Sequence, residues 1–224
     1  MPREEYQQAL ADLRGDVGEL GETTLDQLDD GLAAQATGDG ELARAVIEGD
    51  AAVNDRYLEM ESDCIDLLAL QQPVASDLRF VAASFKILTD LERVADLATN
   101  LGRYALAADE DRLATVEVEP IGELAREQVA NALAAYREGN PEAARRVAAR
   151  DDELDALCQR ASEGVVRDLI GREAGADGWA VERLMDDVSR LLLTVRDLER
   201  VGDHGVNIAA RTVYMVESDP ELLH

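Results

Sequence analysis

DLERVADLATN (Asp90–Asn100) and DLERVGDHGVN (Asp197–Asn207) are nearly one sentence written twice. They lie 107 residues apart, close to half of the 224-residue chain. Both keep Asp-Leu-Glu-Arg-Val, then an Asp, then an Asn. Self-similarity at a fixed separation marks a duplicated structural unit. The unit duplicated here carries a pair of carboxylates, which points at chemistry as well as at fold.

On a helix each residue advances about 100°, so Glu92 and Asp96 share a face. That face also holds Val81, Phe85 and Leu88, all within about 60° of one another. The second copy repeats the arrangement with Val188, Leu192 and Val195, followed by Glu199 and Asp203. In both copies an apolar stripe suited to a core runs directly into two acids. Burying ionised carboxylates costs several kcal/mol each unless something positive neutralises them. Intrahelical pairing offers a blander account, because Arg93 reaches Asp96, Arg196 reaches Glu199 and Arg200 reaches Asp203 at i,i+3. Duplication in register with the apolar stripe weighs against that account.

A second match supports the repeat. Val46, Asp50, Val53 and Tyr57 correspond to Val147, Asp151, Leu154 and Cys158 at an offset of 101. The change from 101 to 107 implies about six extra residues in the second half. They belong at Gly171–Gly178 (GREAGADG), where the first half has only Gln71-Gln72-Pro73, since insertions sit in loops. Again acids interrupt the stripe, at Asp50 and at Asp151. Asp151 has Asp155 at i+4, whereas Asp50 has the weaker oxygen donor Asn54. Each half thus offers carboxylates from two helices, as a site for a hard or borderline cation requires. The expected ligands are Asp50, Glu92 and Asp96 in one half, and Asp151, Asp155, Glu199 and Asp203 in the other. Ferritin-like di-metal bundles need Glu-x-x-His motifs, and neither His204 nor His224 follows a Glu at i+3. His204 reads as an outer ligand or as a hydrogen-bonded residue.

Composition bounds the fold and the partners. The chain is 46% hydrophobic but only 4% aromatic, which suits helices packed with Ala, Leu and Val and is poor for strands. Net charge is −26 and the pI about 4.2, so binding to anionic nucleic acid is disfavoured. Of 22 basic residues only Lys86 is a lysine. An acidic chain almost empty of lysine suits a halophilic cytoplasm, where salt screens self-repulsion. No signal peptide and no membrane-spanning run is apparent. Cys64 and Cys158 lie on apolar helical stripes and read as small buried hydrophobes.

The expected fold is all-α. Six long antiparallel helices form two pseudo-repeated three-helix bundles, with residues 1–112 and 113–224 as the two repeats. The helices are expected from about Glu4 to Ala36, Glu41 to Leu70, Pro73 past Tyr104, Pro120 to Glu138, Pro141 to Ile170 and Trp179 to Val216. A charged, weakly patterned link falls near 110–118.

LLALQQPVASDLRFVAASFKILTDLERVADLATN (Leu67–Asn100) resembles the PhoU family of phosphate-uptake regulators, and RDLERVGDHGVNIAARTVYMVE (Arg196–Glu217) is similar to that family's closing helix. The resemblance covers both halves. It implies two three-helix bundles, and iron or zinc, in multinuclear clusters in some members, at Glu/Asp-x-x-x-Asp motifs. By position these motifs fall on Glu92 and Asp96, on Glu199 and Asp203, and on Asp151 and Asp155. Asp50 with Asn54 departs from the two-acid form. The resemblance further implies a cytoplasmic, non-enzymatic adaptor that restrains phosphate uptake. Its expected partners are the ATPase subunit of the phosphate ABC transporter, a sensor histidine kinase and a second copy in a homodimer. The competing reading is a metal-dependent hydrolase using the same carboxylates, although no nucleophile–base pair or Gly-rich phosphate loop is evident.

Overall fold

A computed structural model describes residues 3–70, 74–108, 118–172 and 178–223. Among these residues the chain is helical apart from short turns and the segment ends, with no strand. The first repeat contains α1 (Arg3–Thr37), α2 (Gly40–Leu70) and α3 (Ala75–Ala107). The second contains α4 (Glu119–Glu138), α5 (Pro141–Ala148), α6 (Asp151–Arg172) and α7 (Gly178–Glu217). Helix boundaries agree with the expected ones to within about two residues, the usual ambiguity of a fraying end. Pro73, most of the link and the expected loop insertion fall at 71–73, 109–117 and 173–177, outside the described residues.

The 101-residue offset extends back to the turns that open α2 and α5. Gly38 and Gly139 both take positive φ, 74° and 61°, the left-handed conformation that ends a helix and that glycine adopts freely. The next residue then caps the following helix. Asp39 Oδ1 accepts from the backbone N–H groups of Glu41 and Leu42, and Asn140 Oδ1 accepts from that of Ala143. Such caps satisfy donors that a helix start leaves unpaired.

One expectation is corrected. The helix expected from Pro141 to Ile170 is two helices, broken at Ala149–Arg150. The N–H of Ala149 bonds back to Arg145 O, and that of Arg150 to Val147 O, which closes α5 in a tight turn. Arg150 is meanwhile drawn to Glu127 on α4, at 3.1 Å. The break places Asp151, Asp152 and Glu153 in the first turn of α6, where the helix dipole favours negative charge.

The bundles are not independent bodies. Within the second repeat α7 packs on α4, α5 and α6; between repeats α3 packs on α7 and α1 on α4. One hydrophobic cluster runs through both, from Val17, Leu28, Leu91 and Leu97 to Val129, Leu154, Leu198 and Ile208. In each repeat a glycine at one pair of equivalent positions lets a helix lie close against its neighbour's backbone. In the first it is Gly31 with Ala98, where a Cβ on Gly31 would lie 2.9 Å from Ala98 O. In the second the glycine sits on the other helix: Ala132 stands at the position of Gly31, and a Cβ on Gly205 of α7 would lie 3.1 Å from Val129 N on α4.

Candidate functional site

The first and last residues of the duplicated segment clasp the repeats together. Asp90 on α3 meets His204 Nδ1 at 2.9 Å and accepts from Asn207 Nδ2 at 3.3 Å, both on α7. Reciprocally, Asp197 on α7 accepts from Asn100 Nδ2 at 3.2 Å and Tyr104 Oη at 2.8 Å, both on α3. Each copy's opening Asp therefore meets the other copy's closing Asn. Ten residues of helix span about 15 Å, so the contacts pin α3 against α7 at two well-separated points. Asp197 is 0% exposed, and Arg196 also reaches it at 2.9 Å. Burial, and then the hydrogen bond to Asp197, push the Tyr104 hydroxyl up to about 12. Sequence reasoning passed over these residues; their signal was the Asp and Asn kept ten apart in both copies. His204 proves to be hydrogen-bonded.

Along α3 and α7 the expected acid pairs lie between the clasp residues, Glu92 and Asp96 between Asp90 and Asn100, and Glu199 and Asp203 between Asp197 and Asn207. In the second repeat Asp151 and Asp155 come from α6, and Glu199 and Asp203 from α7. Three of them, Asp151, Glu199 and Asp203, are shifted by burial and by neighbouring acids of the set. Desolvation first, then Asp155, Asp203, Asp152 and Glu199, push the Asp151 carboxyl up to about 6. Glu199 is raised by desolvation, then by Asp155 and Asp203. Asp203 is raised by desolvation and Asp155, against the pull of His204 and Arg200. Asp151 Oδ1 is buried with no hydrogen-bond partner, although buried polar atoms are normally satisfied.

In the first repeat Asp50 comes from α2, and Glu92 and Asp96 from α3. Glu92 is raised by desolvation, then by Asp96 and Asp50, with Arg93 and His204 opposing. Arg93 lies 3.5 Å from Glu92 and 3.7 Å from Asp96, so the intrahelical pairing is also made. Among the described residues, no three His, Cys, Asp or Glu side chains converge tightly enough to enclose an ion.

The donor set still fits a cation in the second repeat. It is carboxylate-rich, each raised acid is disfavoured in its charged form, and one of its buried oxygens, Asp151 Oδ1, has no partner. A positive ion would relieve all three conditions. The first repeat offers fewer acids and an arginine already among them. Cys64 and Cys158 are free and buried; burial pushes both thiols up to about 12, so neither is a reactive thiolate.

Comparison with known proteins agrees with this architecture. The PhoU domain model matches twice, over residues 17–105 and 118–212. A phosphate-specific transport system accessory protein PhoU homolog of Caulobacter vibrioides is 35% identical over 207 residues, spanning 91% of this chain and 86% of the relative. A homolog of Methanothermobacter thermautotrophicus, with the same description, is 30% identical over 218 residues, spanning 96% and 95%. Among solved structures, PhoU from Pseudomonas aeruginosa superposes with a TM-score of 0.88 at 29% identity, covering 96% of this chain and 100% of that one. The phosphate transport system regulatory protein PhoU from Streptococcus pneumoniae gives 0.86 at 27%, covering 96% and 98%.

Proposed function

Because the chain belongs to the PhoU family, we propose that it is an accessory regulator of a phosphate-specific transport system, restraining uptake when phosphate is plentiful. The observation that carries this reading is the match of both repeats to the family model, with relatives named for that system over nearly their whole length. The regulator acts without catalysis. The relatives are named as accessory and regulatory proteins, which supports this over the hydrolase reading.

The chain works from the cytoplasm, docked on the transporter's ATPase subunit and, where present, on a sensor histidine kinase; it pairs with a second copy. No helix among the described residues is long and apolar enough to cross a membrane, which supports docking rather than insertion. Equivalent positions of the two repeats expose apolar side chains, Ile65 with Val166 and Leu78 with Met185. Exposed apolar anchors on a chain of net charge −26 suit a partner with basic surface around apolar sockets. The charge of −26 supports a halophilic setting and opposes contact with DNA.

The acids hold iron or zinc, as single ions or clusters: Asp50, Glu92 and Asp96 in the first repeat, and Asp151, Asp155, Glu199 and Asp203 in the second. Bound metal supplies positive charge that ties helices of one repeat together. The first repeat, with Asn54 where the second has Asp155, holds it less tightly.

Deleting the gene tests the function. Phosphate uptake and phosphate-starvation genes are expected to escape restraint in phosphate-rich medium, and purified protein is expected to associate with the ATPase subunit at the salt of its own cytoplasm. Normal uptake and expression without association would overturn the reading.

A further inference from the structure

The two repeats serve as controls for each other, and one groove differs between them in a directed way. In the second repeat a groove of about 290 Å³ opens between α4 and α5. Its walls are small and apolar, and Gln128, Asn131, Arg146 and Arg150 line it. At the 101-residue offset the first repeat has Gln27, Asp30, Ala45 and Gly49 at these places. One acid has become neutral and two small residues have become arginines. Glu138, where the first repeat has Thr37, returns one negative charge. The groove is still two charges more positive than its twin, within a chain of net charge −26.

The buried glutamine has changed its state as well. Gln27 donates its Nε2 to Val46 O and to Thr99 Oγ1, both at 3.2 Å, and leaves only its Oε1 without a partner. Gln128 is 1% exposed, yet neither its Oε1 nor its Nε2 has a hydrogen-bond partner. The position equivalent to Thr99 is Val206, which offers no hydroxyl. An unpaired buried amide carries a desolvation cost that a ligand would remove.

The arginines are placed differently. Glu127 takes two N–H groups of Arg150, at 3.1 and 3.4 Å, and Glu153 lies 3.5 Å from its Nε, which fixes the guanidinium and leaves one N–H on each terminal nitrogen. Arg146 makes no ion pair among the described residues, despite 48 acids in the chain. We propose that this groove binds a small phosphate-like oxyanion, held by Arg146 and the remaining N–H groups of Arg150, with the Gln128 amide at its inner end. A tetrahedral oxyanion has enough acceptor oxygens for two guanidinium forks and an amide. The chemistry is shared by free inorganic phosphate and by the phosphoryl group of a mononucleotide. The proposal stands apart from the transport reading, which survives if the groove binds nothing.

Calorimetric titration of the full chain with inorganic phosphate, sulfate and AMP, at salt high enough to screen the net charge, tests it. One molecule is expected to bind per chain, and the preferred probe identifies the source. Two variants restore first-repeat residues that the same backbone already accepts, Arg146→Ala and Asn131→Asp. Each is expected to weaken binding at least about tenfold, the weight of roughly 1.4 kcal/mol, with the melting curve of the fold preserved. Failure of all three probes to bind overturns the proposal. So does binding that persists unchanged in both variants, which would place the anion on metal held by the acids or elsewhere on the surface.

Discussion

Replacing Asp197 by Ala removes the acceptor at the centre of one inter-repeat clasp. Asp197 is fully buried, and Tyr104 and Asn100 donate to it at 2.8 and 3.2 Å. Hydrogen bonds to a charged acceptor are worth about 1.5–3 kcal/mol each, and the stranded donors lose solvation. Arg196 and Arg200 are 57% and 47% exposed, so solvent screens their share to little. Relief of the buried carboxylate's own desolvation offsets part of the loss. The expected net cost is about 3–4 kcal/mol. For 224 residues, 1 kcal/mol moves the melting temperature by about 2 °C, so the midpoint should fall by roughly 6–8 °C. Asp90→Ala is the internal comparison. Its partners are His204 and Asn207 at 2.9 and 3.3 Å, and Asn207 is exposed. It should cost about 1–2 kcal/mol. Asp197→Asn keeps an acceptor for Tyr104 and should fall between the two. Thermal melts followed by circular dichroism decide the matter. If Asp197→Ala costs no more than Asp90→Ala, the clasp does not hold the repeats together as argued.

Asp151 sits at about 6 against an ordinary 3.8, and Glu199 and Asp203 are shifted the same way. The folded state thus binds these protons more tightly, so their contribution is complete below the ordinary value and lost as pH rises through the raised one. In chelator, the melting temperature should climb as pH falls from about 7 to 5, and Asp151→Asn should flatten that slope and raise stability at neutral pH; an unchanged slope would refute the assignment. Cys64 and Cys158, with thiols near 12 and buried, should resist an aromatic disulfide reagent in the native protein and both react in denaturant. Gly205→Ala would push a methyl to 3.1 Å from the α4 backbone, which cannot yield as a side chain does. It should cost about 1–3 kcal/mol in a denaturant titration, whereas Ala at the open Gly15 position should cost nothing.

The helices were legible because their punctuation is local. Gly38-Asp39 and Gly139-Asn140 announce helix ends on their own chemistry, and the apolar stripes of α3 and α7 have the helical period. The break between α5 and α6 was not legible. Ala143 to Ala149 has strong helix propensity, and the interruption involves Arg150 reaching Glu127 on another helix. The sharing of a face by Glu92 and Asp96, or by Glu199 and Asp203, followed from spacing alone. That Asp151 feels Asp203 and Glu199 needed the α6–α7 packing. The clasp stayed hidden for the same reason, since nothing pairs Asp90 with Asn207 until α3 and α7 are set side by side. Gln128 carries no mark in the sequence that distinguishes it from Gln27; only packing reveals which amide nitrogen is satisfied.

Metal content, measured by elemental analysis of protein purified without chelator, tests most directly whether the duplicated acids are metal sites. The account predicts bound iron or zinc in the wild type, with the second repeat's share lost in a Glu199→Ala/Asp203→Ala double variant that still folds. Dialysis should strip the first repeat's share more readily, because Asn54 stands where the second repeat has Asp155. Metal at background level in protein that has never met a chelator, or a content that the double variant leaves unchanged, would contradict it.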